Sequence, residues 1–343
     1  MQLTTRALAG SLALLGVLAG SLTGLGSTAQ ASGSTAPSLA GLRVLITNDD
    51  SARGLDSTFG TDGKGMYELR KSLCAAGADV LVVAPWSQQS GAGARETVPG
   101  FSPVPLTVQA VSPPAAYAND CATSAAGGAV FGVCQAASPC TSASPSASPA
   151  DTVNLALSRF AKEFWSSGPQ VVLSGINFGQ NVGATINHSG TVGAAVTARE
   201  YGVPAIALSA EVPQNLSLIP STPFAATATY ATGLLTSLVK KGSLKPGLVL
   251  NVNYPFIGAG EKLGKVVSTV IGTSNGIGFV FSGDVAKTGG TYQLGVGAAS
   301  PETRKNADTT ALADDEISVT TLDGDWTAPA QGGFLGVLLG LLG

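Results

Sequence analysis

A strand–helix–strand pattern that begins at residue 42 constrains the fold more than any other feature of the sequence. Residues 42–47 (LRVLIT) form a short run rich in β-formers. A continuous apolar run of this length is typical of a strand buried on both faces of a parallel sheet. Residues 65–76 carry an apolar stripe at helical spacing and end at Gly77, and a second apolar run at 80–84 ends at Pro85. The order predicts a right-handed βαβ unit.

The same alternation of strands and helices continues to about residue 253. Apolar periodicity predicts helices at 151–165, 191–201 and 225–240, strands at 171–174, 205–209 and 248–253, and a glycine-rich loop at 175–190. From Val266 onward, alternating segments such as 316–322 predict the strands of an antiparallel extension. We therefore predict one α/β domain over residues 32–330. Its sheet is doubly wound, mostly parallel and Rossmann-like, with a β-rich C-terminal extension.

Residues 86–150 break this rhythm, because they are rich in Gly, Ala, Ser and Pro and become low-complexity from residue 136. We predict a long excursion from the sheet and not a separate domain. Three cysteines cluster in it, Cys121, Cys134 and Cys140, so at least one disulfide is expected among them. Cys74 lies in a helical pattern, where a buried small hydrophobe is expected. Four cysteines permit three complete pairings, and the sequence does not choose between them.

The N-terminus has the pattern of an export signal. Arg6 precedes an apolar run at 7–19, and Ala29-Gln30-Ala31 has the small-x-small form of a cleavage site. The apolar run is short and rich in glycine, which argues against a membrane anchor. We predict a signal peptide at 1–31 and a disordered leader at 32–38. The mature protein is expected to be secreted or extracytoplasmic, without a stable membrane span.

The C-terminus is an apolar tail at 331–343 (QGGFLGVLLGLLG). It is too short to span a bilayer as a helix. A lipid-anchor signal places a polar spacer before such a tail, and residues 326–331 make a poor one. We expect the tail to pack on a neighbouring subunit.

The charge distribution limits the possible partners. Charged residues make up only 11% of the chain and the net charge is −3. Binding to a nucleic-acid polymer requires a basic patch that displaces counterions, and the sequence contains no run of Lys and Arg beyond pairs. We therefore exclude a nucleic-acid polymer as a partner, whereas a mononucleotide remains compatible with this composition.

Polar side chains follow three of the predicted parallel strands at the point where each strand ends. They are Asn48, Asp49 and Asp50 after the first strand, Ser87 to Gly91 after the second, and Asn177, Asn181 and His188 to Thr191 after the strand at 171–174. Ligands of open α/β sheets bind beyond the carboxyl ends of the strands. The three segments are therefore expected to meet at one edge of the sheet.

This set of side chains suits a metal ion beside a phosphate. The adjacent carboxylates of Asp49 and Asp50 repel each other unless a cation lies between them or one is protonated. Oxygen ligands from Asp, Ser and Asn suit Mg²⁺ or Mn²⁺ better than zinc. Ser189-Gly190-Thr191 opens a predicted helix, whose N-terminal N–H groups favour a phosphate. The combination predicts phosphoryl hydrolysis.

Each feature taken alone has an ordinary structural interpretation. An Asp-Asp pair after a strand is often a turn or a helix cap. The glycines at 175–190 suit a tight βα connection. A lone histidine such as His188 is more often a packing or hydrogen-bonding residue than a catalyst. The functional interpretation therefore depends on the features occurring together.

Several segments form one ordered series between residues 42 and 255. They are 44–50 (VLITNDD), 82–85 (VVAP) with 89–91 (QSG), 148–153 (SPADTV), 174–181 (SGINFGQN) with 188–195 (HSGTVGAA), and 250–255 (LNVNYP). In this order they resemble the motifs of the SurE family of 5'-nucleotidases and acid phosphatases. The portion after residue 255 resembles the family weakly.

The resemblance implies a set of site residues and an activity. It implies one divalent cation per subunit, Mg²⁺ or Mn²⁺, held by Asp49, Asp50, Ser90 and Asn177. It implies phosphate contacts from Asn181, Ser189, Gly190 and Thr191, and catalytic roles for Asp49, Asp50, Asn181 and Ser189. The implied substrate is a small phosphomonoester, such as a nucleoside 5'-monophosphate, attacked by metal-activated water. The implied assembly is a homodimer or homotetramer formed by C-terminal exchange.

The chain also departs from the family pattern, and three other functions stay open. Ser51 stands where the family has Gly, and the segment 52–64 is longer than usual. One alternative is a phosphatase with no nucleotide preference, and another is an exported binding module that has lost catalysis. A phosphatase with a covalent aspartyl intermediate needs Asp-x-Asp, and Ser51 occupies its second position. Turnover of p-nitrophenyl phosphate with and without chelator separates the enzymes from the binding module.

Overall fold

A nine-stranded sheet with helices on both faces forms the core of the computed structural model. The structure describes residues 38–325 except 55–59, 62, 276–277, 284–286 and 288. The signal peptide at 1–31, nearly all of the leader and the tail at 331–343 lie outside the described residues. The strands are β1 (Arg43–Thr47), β2 (Asp79–Pro85), β3 (Thr107–Ala110), β4 (Val130–Cys134), β5 (Val171–Phe178), β6 (Ala205–Ala210), β7 (Val249–Tyr254), β8 (Val266–Thr269), β9 (Gly278–Ser282), β10 (Gln293–Gly297) and β11 (Ile317–Leu322). The α-helices are α1 (Lys64–Ala75), α2 (Pro149–Ser158), α3 (Gly190–Glu200), α4 (Phe224–Lys240) and α5 (Asp308–Ala313).

The main sheet has the order β3-β4-β2-β1-β5-β6-β7-β11-β8. The six strands from β4 to β7 are parallel, β3 is antiparallel to β4, and β11 is antiparallel to β7. The chain passes from β1 to β2 on one side of β1. Later it adds β5, β6 and β7 in turn on the other side of β1. The gap between the ends of β1 and β5 is therefore the switch point at which an open α/β sheet binds its ligand. This is the predicted doubly wound sheet with a β-rich extension.

Alternate side chains of β1 enter two different cores, which explains its continuous apolar run. Val44 and Ile46 pack with α1 and α4 on one face, and Leu45 packs with α2 and α3 on the other. All three side chains are fully buried. A strand buried on both faces cannot alternate between polar and apolar residues. Among the described helices, none is long and apolar enough to cross a membrane.

The start of α2 is fixed by its own sequence. The Ser148 side chain accepts a hydrogen bond from the Asp151 N–H at 3.0 Å, and the Asp151 carboxylate accepts one from the Ser148 N–H at 3.3 Å. This reciprocal capping satisfies backbone donors that a helix N-terminus leaves without partners. The helix ends at Ser158, earlier than predicted, and a short 3₁₀ helix at Phe160–Glu163 follows it.

The prediction that residues 86–150 leave the sheet was wrong in part. β3 and β4 lie in this segment, and both join the main sheet beside β2. Each strand is short and is flanked by Gly, Ser, Pro and Ala, so composition conceals it. Cys134, the last residue of β4, is cross-linked to Cys140.

Two disulfides join the described cysteines, Cys74–Cys121 and Cys134–Cys140. The expected disulfide within the cysteine cluster is confirmed. The interpretation of Cys74 as only a small buried hydrophobe was wrong, because it links α1 to a loop 47 residues further along the chain. A bond between residues so far apart in the sequence depends on the fold, in which the chain returns to pair β4 with β2.

The predicted loop at 175–190 begins too early, because β5 continues to Phe178. Its pairing with β6 is irregular between Ser174 and Asn177. Gly175 has φ +139°, and a Cβ on it would lie 2.3 Å from the Leu208 carbonyl oxygen. Only glycine allows this approach, and the strand brings Asn177 to the end of the sheet.

Candidate active site

Three polar residues follow β1 directly and are almost completely buried. Asn48, Asp49 and Asp50 are 0%, 2% and 5% exposed. Such burial of two neighbouring carboxylates is costly unless they are hydrogen-bonded or bind a cation. Their partners therefore identify what the end of β1 is built to hold.

Asp50 connects the end of β1 to the end of β5. Its Oδ2 accepts hydrogen bonds from the Asn48 side-chain amide and from the Phe178 N–H, both at 3.1 Å. Asn177, the residue before Phe178, is buried, and its amide nitrogen donates to the Gly179 carbonyl at 2.8 Å. The Asn177 Oδ1 is also buried and has no hydrogen-bond partner among the described residues. A buried acceptor without a donor needs an explanation, and a cation would satisfy it.

Asp49 faces the N-terminus of α3. The Thr191 hydroxyl donates to its Oδ1 at 2.7 Å and approaches the Asn48 Oδ1 at 2.9 Å. Burial raises the pKa of the Asp49 carboxyl, while hydrogen bonds from Thr191 and from the backbone at Asp49, Thr191 and Gly190 oppose the rise. The carboxylate therefore lies where a helix N-terminus favours negative charge. Asp49 therefore occupies the anion-binding position at the start of α3.

The first residues of α3 are shaped for this close approach. Ser189 caps the helix, and its hydroxyl accepts a hydrogen bond from the Val192 N–H at 3.1 Å. A Cβ on Gly190 would lie 2.7 Å from the Asp49 Cβ and 2.9 Å from its Oδ2. Glycine at this position allows α3 to start against β1. The predicted phosphate residues Gly190 and Thr191 thus contact the predicted metal ligand Asp49.

Asn181 is held by three residues on the neighbouring strands. Its amide nitrogen donates to the Ser209 hydroxyl at 2.9 Å, and its N–H donates to the Asn253 Oδ1 at 2.7 Å. Its carbonyl oxygen accepts from the side chains of Asn251, at 2.8 Å, and Asn253, at 3.0 Å. The sequence interpretation assigned no role to Ser209, Asn251 or Asn253. The sequence signal for these roles was the presence of two amide side chains in the otherwise apolar run at 249–254. A polar side chain buried in a strand needs a hydrogen-bond partner.

Ser90 lies on the loop after β2, and its described side-chain contact is within that loop. The Gln89 N–H donates to the Asp49 carbonyl oxygen at 2.8 Å, so the loop after β2 borders the site. However, the Ser90 side chain is exposed, and its hydroxyl accepts from the Gln88 amide. His188 contributes its carbonyl oxygen to the Gly93 N–H at 3.0 Å, and its side chain is exposed. Nowhere in the described ranges do three or more His, Cys, Asp or Glu side chains converge as a metal-binding group would.

Comparison with known proteins decides the family. Residues 44–276 match the family model described as survival protein SurE. The chain belongs to the SurE family. The match begins inside β1 and extends past β8, so it contains every predicted site residue. The extension around β10 and β11 lies beyond it.

Similar proteins and structures agree with this assignment. The 5'-nucleotidase SurE of Desulfitobacterium hafniense is 30% identical, over 83% of this chain and 92% of its own length. The 5'-nucleotidase SurE of Aeromonas hydrophila is 28% identical, over 88% of this chain and 100% of its own length. The crystal structure of the Sure protein from Aquifex aeolicus has a TM-score of 0.59 at 24% identity, and the match covers 88% of this chain and 99% of that one. At this identity the last comparison shows a shared fold.

Proposed function

We propose that this chain hydrolyses phosphate monoesters, and nucleoside 5'-monophosphates in particular. The observation that carries the proposal is the position of Asp49, a buried carboxylate at the switch point of the sheet that contacts the first turn of α3. Membership of the SurE family and the relatives named 5'-nucleotidase SurE support a phosphoric monoester hydrolase. The nucleotide preference rests on those relatives.

The residues present fit a hard divalent cation, Mg²⁺ or Mn²⁺. Asp49 and Asp50 provide two carboxylates side by side, and Asn177 provides a buried oxygen without a donor. Hard cations prefer such oxygen ligands. Asp49, Asp50 and Asn177 would hold the ion, with Ser90 as the fourth predicted ligand on the bordering loop. When bound, the ion would polarise the phosphate and lower the pKa of a coordinated water.

The chain's own residues orient the substrate. The start of α3 favours an anion. The Asp49 carboxylate accepts from the Gly190 and Thr191 N–H groups and from the Thr191 hydroxyl, so the phosphate is expected to bind next to Asp49. Ser189 keeps this turn in shape by capping the helix. The Asn181 backbone is held through both its N–H and its carbonyl oxygen, which fixes the residue beside β6 and β7. Groups fixed before substrate binds need no reorganisation during the reaction.

Phosphate release from a nucleoside 5'-monophosphate is expected to be lost after treatment with EDTA and restored by Mg²⁺ or Mn²⁺. The physical reason is that Asp49, Asp50 and Asn177 are the proposed ligands of a cation that would polarise the phosphate and lower the pKa of a coordinated water. The measurement is released phosphate after chelation, dialysis and addition of each metal, with p-nitrophenyl phosphate as a second substrate. Full activity of the chelated, dialysed protein would show that the mechanism is wrong. No turnover with any metal would favour the non-catalytic binding module.

We propose that the protein is exported and that its signal peptide at 1–31 is removed. The two disulfides support an oxidising compartment, because such bonds rarely persist in the cytosol. Sequencing of the secreted protein is expected to give an N-terminus near Ser32. Thiol labelling of the native protein is expected to modify no cysteine before reduction and all four afterwards. An unprocessed N-terminus or thiols that react without reductant would contradict export.

We propose that the protein is a homodimer or homotetramer, and that the hairpin of β9 and β10 contributes to the contact. Phe279 and Phe281 face the same side of the hairpin as their partners Val296 and Leu294. These four side chains are between 60% and 78% exposed. An apolar surface of this kind is typical of a protein–protein contact.

A double substitution, Phe281→Ser with Leu294→Ser, is expected to lower the mass in solution toward that of the monomer. It removes two paired apolar side chains from this surface. Burial of apolar area stabilises an interface, so the loss of these side chains should weaken the contact. Light scattering after size exclusion measures the mass. Val280→Ser, on the opposite side of the hairpin, is the control and should leave the mass unchanged. An unaltered oligomer in the double variant would exclude this hairpin face from the contact.

A further inference from the structure

A second site-like feature, a cavity of about 460 Å³, lies at the same end of the sheet as the candidate active site. Gln180, Glu211 and Phe256 line it, and each follows the carboxyl end of a parallel strand, β5, β6 and β7 respectively. Gln180 and Val182, which also line it, flank Asn181 in the sequence. The volume is within the range of about 300–1,000 Å³ that is usual for small-molecule sites. The cavity therefore opens next to the residue that is predicted to contact phosphate.

The lining of this cavity is acidic and polar on one side and apolar on the other. Glu211 and Asp315 provide carboxylates, Gln180 and Gln214 provide amides, and Phe256 and Leu312 provide apolar surface. Among the described residues that line the cavity, none is Lys, Arg or His. A group with a second negative charge would therefore enter next to two carboxylates without a cationic partner.

Glu211 is fixed in a position from which it can accept hydrogen bonds. Its own N–H donates to the Tyr254 carbonyl at 2.9 Å, and its Oε2 accepts from the Phe256 N–H at 2.9 Å. The other oxygen, Oε1, has no hydrogen-bond partner among the residues that the structure describes. A carboxylate is only an acceptor when ionised. It therefore suits a ligand that brings hydroxyl donors.

We propose that this cavity receives the leaving group of the phosphomonoester and selects an uncharged, hydroxyl-bearing group, such as a nucleoside, over one that carries a second phosphate. This inference rests on the proposed phosphatase function. The sugar hydroxyls donate to Glu211, and the apolar wall of Phe256 and Leu312 covers the flat face of a base. The two carboxylates repel a further phosphate, and this repulsion is strong in a partly desolvated pocket.

Glu211→Gln tests the selection by charge, because Gln keeps the size of the side chain and an oxygen acceptor for the Phe256 N–H. The substrates are a nucleoside 5'-monophosphate, the corresponding 3',5'-bisphosphate and p-nitrophenyl phosphate. In the unaltered protein we expect kcat/KM to favour the monophosphate over the bisphosphate by about tenfold or more. In the variant this ratio is expected to fall by about fivefold, because the monophosphate loses an ionised hydrogen-bond acceptor and the bisphosphate loses a repelling charge. Turnover of p-nitrophenyl phosphate, which has no sugar, should change little.

Glu163→Gln is the matched control, because it removes the same charge from an exposed residue that neither lines the cavity nor is among the charges that act on Glu211. It should leave the ratio of the two nucleotides unchanged. An unchanged ratio in Glu211→Gln would overturn the inference, and retained turnover of p-nitrophenyl phosphate would at the same time leave the phosphatase function intact. Absence of turnover of all three substrates by the unaltered protein would instead contradict the proposed function.

Equilibrium binding of the free nucleoside gives a measurement that does not depend on turnover. Calorimetry with the unaltered protein is expected to detect binding. Glu211→Gln should weaken it by about fivefold, because an ionised acceptor makes a stronger hydrogen bond than a neutral one. Glu163→Gln should bind like the unaltered protein. A protein that binds no nucleoside, or a Glu211→Gln variant that binds it equally well, would overturn the inference.

Discussion

Asp49→Asn is expected to lower kcat/KM for phosphomonoesters by at least about a hundredfold, because changes even in the outer partners of a metal ligand cost about 10- to 100-fold. The substitution keeps the shape of the side chain and removes its charge. The cation would then be held by one carboxylate in place of two, and the negative partner of the first turn of α3 would be lost. The reduction is expected in kcat with each metal tested.

The same substitution is expected to leave the protein folded. Burial raises the pKa of Asp49, so its ionised form is costly in the fold, and a neutral amide removes that cost. The Thr191 hydroxyl can still donate to the remaining oxygen. The hydrogen bonds from the Gly190 and Thr191 N–H groups lose their charged acceptor, and this loss opposes the gain in stability. We expect the melting temperature to change by less than about 3 °C, which is roughly 1–2 kcal/mol for a domain of this size.

Asp79→Asn is the matched control, because Asp79 is also a buried carboxylate in the same sheet. It lies at the start of β2, at the opposite edge from the site, and accepts from the Trp165 Nε1 at 2.6 Å, the Ser124 hydroxyl at 2.7 Å and the Ala126 N–H at 2.6 Å. Here the effects should be reversed. Stability falls by about 2–3 kcal/mol, because bonds to a charged acceptor are lost, and the rate per folded molecule is retained. Turnover near that of the unaltered protein in Asp49→Asn would remove Asp49 from the site.

Local patterns were sufficient to predict the central part of the fold. β1, β2, β6 and β7 are each covered on both faces, so each is a short apolar run that ends where the sheet ends. The features that the sequence did not reveal depend on distant contacts. β3 and β4 are short strands whose neighbours are supplied by the sheet, and the Cys74–Cys121 bond joins residues that only the sheet brings together.

The candidate site was predictable as a set of segments but not as a set of contacts. Their positions after predicted strands pointed to Asp49, Asp50 and Asn177, and the resemblance to the SurE family assigned them to the metal. The position of Ser90 could not be read in this way, because its side-chain orientation depends on the loop after β2. The roles of Asn251 and Asn253 were missed for the opposite reason: they lie inside a strand and act on the Asn181 backbone, not at the edge.

Gly190→Ala is expected to disrupt the site through the addition of one methyl group. The new Cβ would lie 2.7 Å from the Asp49 Cβ, 2.9 Å from the Asp49 Oδ2 and 2.9 Å from the Pro149 Cγ. Pro149 is the first residue of α2 and its ring cannot turn away, so the start of α3 or the end of β1 must move. Overpacking of this kind costs about 1–3 kcal/mol of stability. A displacement of about 1 Å at reacting groups can lower the rate by about a hundredfold.

Gly233→Ala separates this effect from the general consequence of replacing glycine by alanine in a helix. Gly233 is an exposed residue of α4, and a Cβ on it would meet nothing within 4 Å. That variant should gain about 0.5–1 kcal/mol of stability, because alanine loses less backbone entropy in a helix, and should keep its full rate. Thermal melts and phosphate release on both variants give the comparison. If Gly190→Ala behaved like Gly233→Ala in both measurements, α3 would not need to start against Asp49. The contact between the predicted metal ligand and the predicted phosphate turn would then have no part in catalysis.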